Sequence, residues 1–304
     1  MRKLLVFLVV LAFVADISAC AAYGRARLLY YLADTRITES SGVASYSRAN
    51  DVLFTHNDSG DIARFFAVGP KGQTLATYTL VNGFTAIDWE DMARGPGRDG
   101  KPALFFGDIG DNAASRPFVT IYEVPEPEID LSATSENFEI GVGAGSIRRM
   151  RYEDGPHDAE TLFVHPKTRD IGIVSKVANG ESGVYIAGKP DGSGIATLER
   201  VASISFKRIA RPYRKTDFAQ ESRLQSTGGD VSPDGKRMVV RTYVEAFEWN
   251  IANGLADGFA RRPSRIPLPR TRQGEAIGYT HDGRSIVTTT EQRPSPVHIV
   301  PSGS

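Results

Sequence analysis

Apolar residues along the chain come in short runs of four to six positions, and turn-forming residues separate the runs. No long stretch carries apolar residues at helical spacing, and Gly and Pro interrupt every candidate helix. The pattern therefore predicts an all-β protein built from short strands. The predicted strands are residues 52–55, 64–68, 75–80, 103–106, 119–124, 171–174, 184–187, 238–241 and 285–289.

A short polar phrase recurs along this pattern and divides the chain into similar units. It reads Glu39-Ser40-Ser41-Gly42, Asp88-Trp89-Glu90-Asp91, Asp158-Ala159-Glu160-Thr161 and Gln273-Gly274-Glu275-Ala276. A fifth copy, Gln225-Ser226-Thr227-Gly228, has Thr227 where we align a glutamate in the others. Five hairpin turns rich in Asp, Gly, Asn and Pro follow in step with the five phrases. These turns are residues 47–50, 97–100, 166–170, 233–235 and 281–283.

The spacing of the phrases predicts the architecture. The aligned positions 39, 90, 160, 227 and 275 are separated by 51, 70, 67 and 48 residues. A four-stranded propeller blade takes about 40–50 residues, so the two longer gaps hold insertions, at residues 125–146 and 206–225. We predict a five-bladed β-propeller, with six blades as the second choice if an insertion forms a blade. Only 29 residues follow Glu275, so we expect residues 28–32 to supply the missing strand and close the ring.

The N-terminus has the features of an export signal. Arg2 and Lys3 precede an apolar run at residues 4–14 that is too short for a convincing membrane span. Residues 17–20 resemble a bacterial lipobox, which predicts lipidation of Cys20; the alternative is ordinary cleavage after Ala19 or Ala22. We therefore predict a signal peptide at 1–19, a tether at 20–26 and one propeller domain at 27–301. The protein would be anchored to the cell envelope by lipid, or secreted or periplasmic without acylation.

Cysteine content and charge exclude several kinds of chemistry. Cys20 is the single cysteine, so a protein acylated there has no disulfide, thiolate metal site or cysteine nucleophile. Without residues 1–19 the chain has 34 basic and 35 acidic side chains. This balance gives no electrostatic reason to expect nucleic acid, or membrane contact beyond the lipid anchor. We expect a monomer.

Most polar clusters fall in loops that a propeller gathers on one face. These loops enter the first strand of each unit or join its second strand to its third, and functional residues concentrate on such loops. This face predicts binding of a small polar or phosphorylated ligand, or of a protein partner. The candidate ligand-binding residues are Asn57, Trp89, Asp111, Asn112, Lys176 and Arg241.

The phrase glutamates pose an electrostatic problem, because carboxylates converging on one axis raise one another's pKa. They could share protons, be neutralised by Lys176 and Arg241, or bind a cation; alternatively, they could bond backbone amides and hold the blades together. Oxygen donors suit Ca²⁺, whereas a zinc site would lack cysteines and suitably spaced histidines. The candidate metal residues are Glu39, Glu90, Glu160, Glu275 and Thr227.

These motifs, with residues 55–60 and 107–112, resemble an uncharacterised family of bacterial secreted β-propellers across nearly the whole mature chain. A more distant resemblance is to five-bladed SdiA-regulated proteins and calcium-activated nucleotidases (apyrases). In the nucleotidases calcium lies in the channel beneath a nucleotide, and Glu39 with Asp58, and Glu90 with Asp108, occupy comparable places. The nucleotide-contact sequences are not recognisable here. The resemblance thus implies calcium more than nucleotide hydrolysis.

Two functions follow as hypotheses. The first is an extracytoplasmic binding module with Ca²⁺ in its channel. The alternative is a Ca²⁺-dependent hydrolase of phosphate esters or anhydrides, in which a carboxylate positions water. Its candidate catalytic residues are Asp58, Asp108, His56 and His157. The chain has no Gly-x-Ser-x-Gly motif of a serine hydrolase.

Overall fold

The computed structural model of the chain describes residues 23–82, 84–132, 139–143, 145–212 and 223–303. Across these residues the protein is all-β, as the apolar pattern predicts. The predicted signal peptide and Cys20 lie outside the described residues.

Every predicted strand overlaps an observed one, and the hairpin turns lie where the sequence predicts them. The strands are β1 (Arg27–Tyr31), β2 (Ser40–Ser45), β3 (Leu53–Asn57), β4 (Arg64–Val68), β5 (Thr74–Leu80), β6 (Trp89–Pro96), β7 (Pro102–Asp108), β8 (Val119–Pro125), β9 (Glu139–Val142), β10 (Ser146–Tyr152), β11 (Ala159–Val164), β12 (Ile171–Ser175), β13 (Glu181–Pro190), β14 (Ile195–Ser205), β15 (Ser226–Val231), β16 (Arg237–Thr242), β17 (Ala246–Asn250), β18 (Ser264–Ile266), β19 (Gly274–Tyr279), β20 (Ser285–Thr290) and β21 (Pro296–Pro301). Two short helices complete the described part, α1 (Phe206–Ile209) and α2 (Leu255–Phe259).

The described strands pair into four sheets. One contains β2 to β5 in sequence order, and another contains β15 to β18. In the third, β19, β20 and β21 are joined by the N-terminal strand β1, which pairs antiparallel with β21. The fourth has eight strands, because β10 pairs with β8 on one side and parallel with β14 on the other. Its edge strands β6 and β11 contact each other, so this sheet nearly closes on itself.

Five strands that each begin an antiparallel series lie side by side. These first strands are β2, β6, β11, β15 and β19, and each contacts the next in this order. Strand β19 also contacts β2. Side chains must be small where these strands approach closely; a Cβ on Gly228 would lie 2.8 Å from the carbonyl oxygen of Glu275. The small residues of the recurring phrase therefore follow from close packing of the first strands.

Each first strand shifts register at the recurring phrase, as a β-bulge does. The shift falls at Glu90 in β6, at Glu160 in β11 and at Thr227 in β15. In β19 it spans Glu275 and Ala276. In β2 it falls at Ser41, so the structure corrects the alignment of the first phrase: Glu39 corresponds to Asp88 and Asp158 and not to the other glutamates.

Apolar side chains fill the spaces between successive strand series. In the described residues they form five buried clusters. Adjacent residues of one strand enter different clusters, as Phe105 and Phe106 of β7 do, because neighbouring side chains point to opposite faces. Both faces of such strands are covered, which explains their nearly continuous apolar sequences.

The two predicted insertions add little regular structure of their own. In the segment 125–146, β9 pairs parallel with β5 as the fifth strand of that sheet. In the segment 206–225, the described residues form α1 and the approach to β15. The described part of neither insertion forms a separate sheet.

A buried carboxylate links three of the first strands. Asp91 Oδ2, on β6, accepts hydrogen bonds from the backbone N–H groups of Leu162 at 3.0 Å and Gly229 at 3.2 Å, on β11 and β15. Its Oδ1 accepts from the N–H of Met92 at 2.8 Å. Burial raises the pKa of Asp91 well above its usual value, while these donors oppose the shift. The sequence left open the possibility that the glutamates bond backbone amides and hold the blades together. In the structure Asp91, the residue after Glu90, makes such bonds.

A second carboxylate joins β15 to β19 in the same way. Asp230 accepts hydrogen bonds from the N–H groups of Tyr279 and Val231, both at 2.8 Å. Burial raises the pKa of Asp230 to about 7, although these donors and Arg94 act to lower it. Asp230 is thus a weaker acid than an aspartate in water.

We expect Asp91→Ala to lower the free energy of unfolding by about 3 kcal/mol or more, because it leaves buried N–H groups without an acceptor. Urea unfolding measures the change. The control is Asp99→Ala, which removes a carboxylate bonded to the N–H of Lys101 in an exposed turn. Equal effects of the two substitutions would contradict the linking role of Asp91.

Asp230→Asn tests the link between β15 and β19 through the pH dependence of stability. The pKa of Asp230 is raised from 3.8 to about 7 on folding, so its contribution to stability is full below about pH 4 and is lost as pH rises to about 7. The stability of the wild type relative to Asp230→Asn should therefore fall by about 2–3 kcal/mol between pH 5 and pH 8. Urea unfolding across this range measures it; a difference independent of pH would contradict the assignment.

Candidate functional site

The candidate site lies where the first strands begin. Asp58 follows β3, Asp88 precedes β6, and Glu90 is the second residue of β6. The N–H of Asp58 donates to the carbonyl oxygen of Glu39 at 2.9 Å, which fixes this loop beside the start of β2. The carbonyl of Asp88 accepts from the N–H groups of Ile109 and Gly110, both at 3.2 Å. Backbone bonds thus fix the Asp58 loop beside the start of β2 and the Asp88 loop beside residues 109–110.

Three carboxylates meet at this point. One oxygen from each of Asp58, Asp88 and Glu90 lies within 4.8 Å of the others. Glu90 is buried, with 4% of its surface exposed, and the two aspartates are half-buried. We call these three residues the acidic triad. Among the described residues, no Lys, Arg or His forms an ion pair with any of them.

Simultaneous ionisation of the three triad carboxyl groups is unfavourable. Burial raises the pKa of Glu90 well above its usual value, and the charges of Glu160 and Asp58 raise it further. Burial and the neighbouring acids raise the pKa of Asp88 as well. Burial and the charge of Glu39 raise the pKa of Asp58, whereas the N–H of Ser59 and the charge of Lys176 lower it. Ionised carboxylates this close repel one another, so the site favours either protons or a cation.

Gly110 forms one wall of the triad. A Cβ at this position would overlap the carboxylate oxygens of Glu90 and Asp88. Arg116 holds the loop in place: it donates to the carbonyl of Gly110 at 2.7 Å and forms an ion pair with Asp108 at 2.8 Å. The backbone can therefore approach the carboxylates closely only because residue 110 is glycine.

Glu160 is neutralised by a partner of its own. Lys176 contacts one of its carboxylate oxygens and lies 5.6 Å from the ring centre of Tyr243. Burial acts to lower the pKa of Lys176, but Glu160 and Tyr243 raise it above its usual value. The predicted neutralisation by Lys176 therefore applies to Glu160, whereas the acidic triad has no such contact. The other oxygen of Glu160 is buried without a hydrogen-bond partner among the described residues.

Arg241 is engaged mainly by the protein backbone. Its guanidinium is buried and donates to backbone carbonyls, including those of Ala276 at 3.0 Å and Thr242 at 3.2 Å. Burial lowers its pKa to about 10, and Glu275 opposes this. Burial and the charge of Glu160 raise the pKa of Glu275 well above its usual value. Arg241 therefore secures the start of β19, and its charge also acts on Glu275.

Glu39 and Thr227, also predicted as metal ligands, have other contacts. Glu39 is half-exposed and forms an ion pair with Arg293 at 3.7 Å. The hydroxyl of Thr227 is buried and donates to the carbonyls of Gly274 and Glu275 at 2.9 and 3.1 Å. Of the five predicted metal residues, only Glu90 belongs to the acidic triad.

The predicted catalytic residues are dispersed. Asp108 is fully buried and holds Arg116 and the N–H groups of Ile87 and Asp88. His56 is fully buried, and burial lowers its pKa to about 4. His157 lies 2.8 Å from Asp154 and 2.9 Å from the hydroxyl of Tyr185. Asp58 alone joins the acidic triad.

Most predicted ligand contacts turn out to be structural. Trp89 is 1% exposed and stacks on Phe106 in the core, so its predicted position on the binding face is wrong. The amide of Asn57 is buried and bonds the backbone of residues 36, 38 and 39. Asp111 accepts from the N–H groups of Ser115 and Arg116 and so shapes its own loop. Asn112 is exposed beside that loop.

Sequence reasoning missed Asp88 as a site residue. The position of Asp88 in the sequence could have identified it, because it lies two residues before Glu90 in a loop that enters a first strand. Because Glu39 was aligned with the wrong member of the phrase, the equivalence of Glu39, Asp88 and Asp158 was hidden. An alignment anchored on the small residues that follow would have exposed it.

No protein-family model matches the chain, and a search of curated proteins finds no significant match. The resemblances noted from the sequence motifs therefore stay predictions. In the part of the chain that the structure covers, no helix has the length and apolar character needed to cross a membrane.

Lys176→Met tests the pairing with Glu160. Removing the cation leaves a buried carboxyl group without its partner, so we expect the free energy of unfolding to fall by about 3–5 kcal/mol. Adding Glu160→Gln should restore much of this loss, because the unpaired charge is then gone. Urea unfolding of both single variants and the double variant measures the coupling; additive effects would contradict the pairing.

Proposed function

We propose that this protein is an extracytoplasmic β-propeller that binds Ca²⁺ at Asp58, Asp88 and Glu90 and presents a small polar ligand or partner site on the same face. The observation that carries the proposal is the acidic triad itself: three converging carboxylates, one of them buried, with no ion-paired cation among the described residues. Such a group is costly unless protons or a metal ion neutralise it.

The proposed fold is a propeller of five blades closed by the N-terminal strand. The adjacent contacts of the five first strands support it, as do the apolar clusters between successive strand series. In this arrangement β1 provides the outer strand of the blade that contains β19 to β21. The pairing of β10 with β14 would then connect two neighbouring blades.

Calcium is the ion that best suits this donor set. Ca²⁺ takes six to eight oxygen ligands in flexible geometry, and carboxylates, carbonyls and water can provide them together. The triad supplies carboxylate oxygens from a buried strand and two loops, and it contains no His or Cys that would favour zinc. Export and attachment through Cys20 rest on the sequence motif and are part of the same proposal.

A Ca²⁺-dependent hydrolase has less support than a binding module. Of its four candidate catalytic residues, Asp108 and His56 are fully buried, and Asp108 is already engaged by Arg116. His157 is hydrogen-bonded to Asp154 and Tyr185. Only Asp58 borders the proposed ion, where it serves as a ligand. We therefore favour binding over hydrolysis.

Thermal unfolding in chelator and in calcium tests the proposal. An ion bound only by the native state stabilises it by about 2.7 kcal/mol at a hundredfold excess over Kd. We expect calcium to raise the wild-type Tm by several degrees, and we expect Glu90→Gln and Asp88→Asn to lose this response. The control Glu39→Gln, which changes a half-exposed acid outside the triad, should keep it. No shift of the wild type in millimolar calcium would overturn the proposal.

A further variant, Asp58→Asn, separates binding from hydrolysis. Phosphate release from nucleotides and phosphomonoesters is measured with calcium present, for the wild type and Asp58→Asn. The binding proposal expects no turnover above a blank. Turnover that depends on calcium and is lost in Asp58→Asn would favour the hydrolase instead.

A further inference from the structure

A cavity lies at the other end of the first strands. Residues near the hairpin turns line this half-open cavity, which has a volume of about 300 Å³. Strand β6 connects the two sites: Glu90 near its start belongs to the acidic triad, and Arg94 further along lines the cavity. The other lining residues used below are Pro96, Pro166, Asp230, Pro233 and His281.

Arg94 brings an unused positive charge to this cavity. Among the described residues that line it, Arg94 is the only lysine or arginine. Its guanidinium makes no ion pair or hydrogen bond within the described part of the chain. Its charge acts on the acids Glu126 and Asp230, but Glu126 bonds Ser47 and Asp230 accepts backbone N–H groups. A half-buried guanidinium with five free donors is a ready partner for a planar anion.

His281 adds a second polar group. Its Nδ1 is buried without a hydrogen-bond partner among the described residues. Burial and the charge of Arg94 lower the pKa of His281, so its ring is neutral near pH 7. The cavity thus contains one cation, Arg94, with an uncharged ring beside it.

The remaining lining selects the kind of anion. Pro96, Pro166 and Pro233 offer apolar ring surface. Asp230 lies in the same wall and opposes a ligand with two negative charges. We propose that this cavity binds a small organic monocarboxylate, with its carboxylate on Arg94 and its apolar part against the prolines. Binding here requires neither calcium nor the acidic triad.

Benzoate is a suitable probe, because it joins one carboxylate to an apolar ring. Titration calorimetry of the full chain in chelator should show saturable binding of benzoate, and weaker binding of acetate and of inorganic phosphate. Arg94→Gln should weaken benzoate binding at least tenfold, and Arg94→Lys should weaken it less because the charge remains. The control is Arg98→Gln, an exposed arginine of the same hairpin that does not line the cavity.

Thermal unfolding without ligand checks that each variant is folded. Absence of saturable benzoate binding up to ~10 mM would overturn the proposal, as would equal weakening by Arg94→Gln and Arg98→Gln. Phosphate binding more tightly than benzoate would also overturn it, because the site would then select charge and not a monocarboxylate.

Discussion

The buried carboxylate of Asp91 is the interaction on which the arrangement of the first strands depends. From β6 it accepts N–H groups of β11 and β15, so that one side chain spans three strands. Losing these bonds would leave buried N–H donors unsatisfied, which is costly. Asp230 repeats the device between β15 and β19. Together they link four of the five first strands, β6, β11, β15 and β19.

The contacts between neighbouring first strands bring acidic residues together. Asp88 and Glu90 lie at the start of β6, Glu160 lies at the start of β11, and Asp58 follows β3. The molecule does not resolve this repulsion uniformly. Lys176 neutralises Glu160, Arg241 is used on backbone carbonyls, and the triad of Asp58, Asp88 and Glu90 has no ion-paired cation in the described residues. Our proposal places a calcium ion at the position with the least compensation.

Local sequence determined much of the fold, because strands and turns are local features. Residues 64–68 coincide with β4, and the turn at 97–100 joins β6 to β7. The addition of β9 to β5 and the pairing of β10 with β14 were not predictable, since parallel partners far apart in sequence leave no local periodicity. The site was harder to predict for a related reason. Glu90 and Asp91 are adjacent acids, and a register shift at Glu90 sends one to the triad and the other into the core.

The same kind of shift explains why Glu39 was a wrong member of the predicted ligand set. In β2 it falls at Ser41, so Glu39 lies two residues before the position that Glu90 occupies in β6. A bulge changes the direction of a side chain without changing the residue type, and the letters of the sequence do not reveal it. The direction of Trp89 was also hidden in the sequence. Trp89 belongs to a polar phrase, yet its ring packs in the core beside Phe106.

The most direct test of the central claim is anomalous X-ray diffraction from crystals grown with Tb³⁺, an ion that replaces Ca²⁺ at oxygen sites. The account predicts one strong peak among the carboxylates of Asp58, Asp88 and Glu90, at about 2.3–2.6 Å from their oxygens as for calcium, and its removal by excess Ca²⁺. A triad without a peak, or a peak on Glu39, Glu160 or Glu275 alone, would contradict it.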